Sequence, residues 1–123
     1  MARSWHMEVG AIPPASLRGN SRAHHMVKYR EGRDWRESGE MHAYVAAPGV
    51  HHVEKIRITF TWYHWRKIDI PNLLQGMKGW VDGLVDADFI DDDDPDHVTY
   101  GEHQFVKVKK GQSKTEVLIE ELG

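Results

Sequence analysis

The chain has 123 residues, 40% of them apolar, with five tryptophans and no cysteine. That length fits about one domain with a real core, and the missing thiols exclude disulfides and thiolate metal sites. The net charge is −3 but lopsided: residues 1–67 hold 11 Lys/Arg against 6 Asp/Glu, whereas residues 68–123 hold 5 against 13.

No apolar run approaches the roughly 20 residues of a membrane span, and the N-terminus lacks the pattern of a secretory signal. A soluble domain of a reducing, cytoplasmic compartment is therefore expected, with no membrane partner. Arg18, Arg22, Lys28, Arg30, Arg33 and Arg36 make the first half basic, and the acids crowd between Asp69 and Asp96. A basic surface around an acidic pocket suits an enzyme acting on nucleic acid, since phosphates are attracted everywhere except where a cation must sit. An ordinary mixed surface with one acidic loop accounts for the charge equally well.

In chain order, Ser4–Ile12 reads as a short strand closed by Pro13-Pro14. Residues 17–25 form a polar loop whose Asn20 or Ser21 is placed to cap a helix. That helix is expected from about Ala23 to Val45, with Gly32 and Gly39 inside it, and Ala46-Ala-Pro-Gly49 is a turn. Lys55–Trp65 is the clearest strand: Ile56, Ile58, Phe60 and Trp62 alternate with Arg57, Thr59, Thr61 and Tyr63.

Pro71 is a favoured first helical residue, which sets Asp69 or Ile70 at the cap of a second helix. At about 100° per residue, Leu73, Met77, Trp80, Val81 and Leu84 share its core stripe, opposite Gln75, Lys78 and Asp82. Gly76, Gly79 and Gly83 line one sector, either for close packing against a backbone or to admit a nucleic-acid strand. His97–Lys109 and Thr115–Glu121, joined at Lys110-Gly-Gln-Ser, read as a hairpin. The whole is an α+β domain over residues 1–123, ordered strand, helix, strand, helix, strand, strand, with helices packed on a mixed sheet.

Asp69 lies where the strongest strand feeds a helix, a position that fixes a carboxylate and leaves helix-start N–H groups for a phosphate oxygen. The commoner role of such an aspartate is a simple cap. Asp91–Asp94 and Asp96 place five carboxylates within six positions, which repel unless a cation or full solvation relieves them. An EF-hand loop is excluded, because Pro95 and Asp96 fall at its fifth and sixth positions, where a ligand and a glycine are needed. Hard oxygen ligands favour Mg²⁺, or Mn²⁺, and no organic-cofactor motif is present. Lys78 is able to steady charge on a phosphate or simply to pair with Asp82 one turn on. The adjacent histidine pairs lack zinc-site spacing.

The pattern Asp69-x-x-Asn72-Leu-Leu…Lys78…Asp82-Gly-Leu-Val-Asp-Ala…Ile90-Asp-Asp-Asp-Asp-Pro-Asp-His-Val98 resembles the RusA family of Holliday junction resolvases, common in phages and prophages. Leu17-Arg-Gly-Asn-Ser-Arg-x-His-His-Met resembles that family's N-terminal part. The resemblance implies a RusA-like homodimer that uses Mg²⁺ to cut four-way DNA junctions in recombination and repair, in the cytoplasm of a bacterial host. It assigns catalysis to Asp69, Lys78 and Asp93, metal binding to Asp69, Asp92 and Asp93, and DNA contact to Asn72; the basic Arg22, Arg30 and Arg33 are expected to hold the DNA backbone electrostatically. One of Asp92, Asp93 or Asp94 matches the family's loop aspartate, the run of acids leaving the register open, and Asp93 is the favoured match.

One position departs from the family pattern Asp-x-Asp-Asn: Pro71 stands where a second, metal-binding aspartate belongs, and proline offers neither ligand nor N–H donor. Two alternatives to the resolvase reading follow. One is a junction-binding protein with weakened or lost cleavage; the other is an acidic cation-binding domain that does not act on DNA.

Overall fold

The computed structural model describes residues 2–19 and 21–123. Strand β1 (Ser4–Val9) is followed by a single 3₁₀ turn at Ala15–Leu17, helix α1 (His25–Ala46) and strand β2 (Ile56–His64). Helices α2 (Ile70–Gly76) and α3 (Lys78–Asp86) come next, and then strands β3 (Val98–Tyr100), β4 (Gln104–Lys107) and β5 (Lys114–Glu121). This is the expected small α+β domain, with helices packed on a mixed five-stranded sheet.

Alternation in β2 works as expected. Ile56, Ile58, Phe60 and Trp62 are fully buried while Arg57 stays exposed. The helical stripe is equally direct: Leu73, Met77, Trp80, Val81 and Leu84 all enter the same core, where Phe60 meets Trp80 edge-on. Each such side chain contributes about 1.5–3 kcal/mol through burial.

Several boundaries differ from the sequence expectation. Helix α1 starts at His25, capped by His24, whose ring Nδ1 accepts the Met26 N–H at 3.1 Å. Ser21 instead accepts the Ala23 N–H in the preceding loop, and Asn20, the other expected cap, lies outside the described residues. The turn after α1 is as expected, with Gly49 at φ +74° behind Pro48, the glycine geometry of a type II turn.

The second helix is two. It tightens at Met77, whose N–H reaches both the Leu73 and Leu74 carbonyls at 3.1 Å. The neighbouring Gly76 and Gly79 add no side chain to stiffen that turn. The shared glycine sector also divides by role. A Cβ on Gly83 would lie 2.1 Å from the Arg36 carbonyl oxygen, and one on Gly76 would lie 2.7 Å from Pro13 Cβ, so both serve close packing. Gly79 faces open space.

The expected hairpin does not form. β5 lies antiparallel between β1 and β2, while β3 and β4 run parallel to β2 along its other edge. The Lys109–Gln112 turn is real, with Gly111 at φ +93°, yet the strands it joins flank β2 rather than each other.

The long strand expected over 97–109 is also split. Tyr100 pairs with Ile58 and Gln104 with Thr61, which leaves one extra residue on the edge strand, a β-bulge. Gly101 fits there because any Cβ would lie 2.2 Å from Thr59 Oγ1. The His103 ring takes over the backbone's task, its Nδ1 accepting the Phe60 N–H at 3.0 Å.

Candidate metal and phosphate site

Three shallow clefts run side by side along α2 and α3. The first, about 430 Å³, is lined by Lys67, Ile68, Asp69, Ile70, Pro71 and Phe105. The second, about 410 Å³, is lined by Pro71, Leu74, Gln75, Lys78, Asp93 and Tyr100. The third, about 400 Å³, lies between α1 and α3 and is lined by Lys28, Tyr29, Gly32, Arg33, Arg36, Gly79 and Asp82. Pro71 is the wall common to the first two.

Asp69 caps α2 through its backbone alone: its carbonyl accepts the Asn72 and Leu73 N–H groups at 3.0 and 3.2 Å. Its carboxylate makes no cap hydrogen bond and is exposed. Asn72 is half-buried, and its side-chain oxygen lies 2.6 Å from where a Cβ on Gly19 would stand. Arg22, Arg30 and Arg33 are all exposed, and Arg33 borders the third cleft.

The five loop acids do not act as one cluster. Asp91 pairs with His52 at 2.6 Å. Asp92 accepts the Asp93 N–H at 2.7 Å. Asp94 binds the His97 ring at 2.6 Å and accepts the Asp96 and His97 N–H groups, turning the chain into β3. Asp96 is exposed. Asp93 alone turns back to the helix, where it meets Lys78 Nζ at 3.3 Å and the carboxyl of Asp82.

The lysine therefore pairs with Asp93, not with Asp82 one turn on, because the returning loop delivers a carboxylate that helix spacing cannot reveal. Asp82 becomes the residue that sequence reasoning missed as a site group. Its signals in the sequence are the Lys78-x-x-x-Asp82 spacing and its place in the longer Asp69–Val98 pattern. Burial, and then the hydrogen bond and charge of Asp93, raise the Asp82 carboxyl above the ordinary range. Burial pushes Asp93 the same way, but hydrogen bonds from Asp82 and Lys78 outweigh it and hold Asp93 below that range. Lys78 is raised by its bond to Asp93. The Tyr100 hydroxyl is raised by burial and by the same two acids.

Arg36 borders the acid pair from α1 while binding Asp86 at 2.7 Å, and its charge offsets part of the acid–acid repulsion. Among the described residues, no three His, Asp or Glu side chains converge as a ready-made ligand set. Asp69 and Asp93 face adjoining clefts across Pro71, with no hydrogen bond joining them. The donor chemistry at Asp82 and Asp93 nonetheless fits Mg²⁺ or Mn²⁺: two facing carboxylates repel, and a hard cation between them relieves that repulsion. Mg²⁺ commonly takes one or two protein carboxylates, completing its shell with water and substrate phosphate.

No helix among the described residues is long and apolar enough to cross a membrane. No protein-family model and no curated protein matches this chain.

Proposed function

We propose that the chain is a Mg²⁺-dependent endonuclease acting on branched DNA. The observation that carries this reading is the contact of Asp82, Asp93 and Lys78 where a helix and a loop meet beside two open clefts. It combines two paired acids able to hold a hard cation with an ammonium group able to neutralise a phosphate.

In this scheme Asp93 and Asp82 hold the metal, and Asp92 fixes the loop by accepting the Asp93 N–H. Bound there, Mg²⁺ would polarise the scissile phosphate and lower the pKa of an attacking water. Lys78, exposed at its tip, swings from Asp93 to the phosphate as negative charge builds on it. Asp69 lies across Pro71 in the adjoining cleft, its carboxylate left free by a backbone-only cap, and its part in cutting is read by the Asp69→Asn variant. Arg22 and Lys28 attract the DNA backbone, and exposed Tyr29 at the third cleft offers a face for a base to stack on.

A second reading rests on Pro71. Proline walls Asp69 from Asp93 where the RusA-like pattern has a bridging aspartate. A site so divided favours junction binding with slow cleavage or none.

The test is a cleavage assay on a labelled four-way junction and a matched linear duplex in Mg²⁺, Mn²⁺ and EDTA, with Asp93→Asn and Asp69→Asn beside the wild type. Cutting of the junction that is lost in EDTA and in Asp93→Asn is the expected result. Binding without cutting in either metal selects the second reading. Absence of both binding and cutting at low salt rules out a role on branched DNA.

A further inference from the structure

Strand β1 has a neighbour on one side only: β5 pairs with it, and its other edge ends the sheet. The Arg3 carbonyl accepts the Glu121 N–H, which sets the alternation along the strand. Trp5, Met7 and Val9 turn their backbone groups toward β5, and Ser4, His6 and Glu8 turn theirs outward. Among the described residues these outward groups make a single hydrogen bond, from His42 Nε2 to the Glu8 carbonyl at 3.2 Å. The strand carries neither proline nor lysine, the usual guards of a sheet edge.

Helix α1 forms the wall beside that edge. At about 100° per residue Glu31, Asp34, Ser38, Met41 and Val45 share one flank, within about 80° of one another. Glu31, Asp34 and Ser38 line a cleft of about 300 Å³ with Val9, Gly10 and Trp35, and among the described residues no lysine or arginine borders it. There Glu31 pairs with no cation, and Asp34 meets only its neighbour Arg33, at 3.6 Å. Met41 and Val45 are 55% and 76% exposed. His42 meets Glu8 while Asp34 shares the cleft with Gly10, so α1 runs against β1 and sets Met41 and Val45 toward the strand's start. The groove is thus acidic at one end and apolar at the other, about 10–17 Å apart along the helix. That is the span of about three to five strand residues. The third cleft lies elsewhere on α1, beside Tyr29, Gly32, Arg33 and Arg36.

We propose that the free edge of β1 takes an extended peptide as an added antiparallel strand. An arginine or lysine side chain of that peptide enters the cleft at Glu31 and Asp34, and an apolar side chain four residues on rests against Met41 and Val45. The unpaired N–H and C=O groups of Ser4 and His6, with the Glu8 N–H, hold the main chain, and the alternate side chains decide which sequence fits. The two carboxylates favour a cation and reject an acid at the same place. His42 occupies the Glu8 carbonyl and so ends the ladder where the cleft begins. The site is independent of the cutting chemistry, and backbone spectra read it without any DNA substrate.

The test is an amide NMR titration of the ¹⁵N-labelled chain with the peptide acetyl-Thr-Arg-Thr-Val-Thr-Ile-Thr-amide. Two control peptides carry glutamate for the arginine, or proline for the threonine between valine and isoleucine, which removes a ladder donor. Saturable shifts at the Ser4, His6 and Glu8 amides are expected, with slower hydrogen exchange there. Both control peptides should bind at least about 10-fold more weakly, as should the first peptide to Glu31→Gln with Asp34→Asn. Those two positions are half-buried and exposed, and matched circular-dichroism melts establish that the double variant folds. No binding, shifts that miss β1, or a control peptide that binds as tightly as the first overturns the proposal. Concentration-dependent shifts of the same amides without peptide would give the edge to a second copy and overturn it equally.

Discussion

The Asp82 carboxyl, on α3, faces that of Asp93, in the loop ahead of β3, and the two acids shift in opposite directions from the ordinary range. Two carboxylates at that range keep both charges only with a cation nearby. Lys78 and Arg36 supply part of that charge from one side each, which leaves Asp82 holding its proton more firmly than a free aspartate does.

Asp82→Asn separates the stability of this pair from its chemistry. The raised Asp82 pKa means that its proton stabilises the fold below the ordinary aspartate value, a contribution lost as pH rises through the elevated value. Asparagine keeps a donor to Asp93 without that loss. The melting temperature of Asp82→Asn should match wild type near about pH 4 and exceed it by about 2–4 °C at about pH 7. Added Mg²⁺ should raise the wild-type melting temperature and leave that of the variant unmoved. Equal Mg²⁺ shifts would remove Asp82 from the ligand set.

Asp93→Asn should be the most damaging change to cutting, because Asp93 alone contacts both Asp82 and Lys78. Loss of Mg²⁺-dependent cleavage by about 100-fold or more is expected, with junction binding in a gel-shift assay within a factor of about three of wild type. A smaller loss than in Asp69→Asn would place the metal in the first cleft instead.

Pro71→Asp should act in the other direction. Position 71 is the wall between the clefts of Asp69 and Asp93, so an aspartate there adds an oxygen facing both. Cleavage at limiting Mg²⁺ should rise about 10-fold, equivalent to about 1.4 kcal/mol. Unchanged metal dependence would mean that the existing acids already complete the site.

The glycines separate packing from access. Gly83→Ala drives a methyl against the Arg36 carbonyl and should cost about 1–3 kcal/mol. Gly79→Ala meets nothing within 4 Å, so it should gain up to about 1 kcal/mol from helix propensity. If a DNA strand passes over the third cleft, Gly79→Ala should also weaken junction binding. Chemical denaturation and gel shifts read the two effects separately.

His103 links the fold to acid. Burial lowers its pKa, so protonation opposes folding: stability is full above the ordinary histidine value near 6.5 and declines as pH falls below it. Protonated, the ring also no longer accepts the Phe60 N–H. His103→Ala should cost about 1–3 kcal/mol at neutral pH for the orphaned donor, and its melting temperature should lose part of the decline between about pH 6.5 and 5. A variant as acid-sensitive as the wild type would assign that decline to another group.

What the sequence revealed depended on how local the cause was. Alternation in β2 and the Leu73–Leu84 stripe were legible because each is a repeat within one element. The split at Met77 was not, since no periodicity marks it, and the close approach of Pro13 to Gly76 beside it brings together residues far apart in the chain. The bulge at 101–103 depends on a histidine ring replacing a strand carbonyl, and no propensity encodes that exchange. Turn chemistry marked Lys109–Gln112 correctly but says nothing about which edge each strand joins. At the site, Asp69 and Lys78 stand out by spacing, and Asp93 was favoured over its neighbours by resemblance alone. Asp82 escaped because its partner arrives from a loop rather than from its own helix.

The insertion of β5 between β1 and β2 bears on how the chain is made. During synthesis β1, α1 and β2 emerge first, yet β1 has no strand beside it until residues 114–121 have appeared and entered the gap. The sheet thus closes from its middle, and last. An early-made strand waits with an open edge for nearly the whole length of the chain, and Arg3 can clasp Glu121 only when that wait is over. A ribosome pausing before codon 114 would hold an unfinished sheet, with two bare edges available to any passing strand.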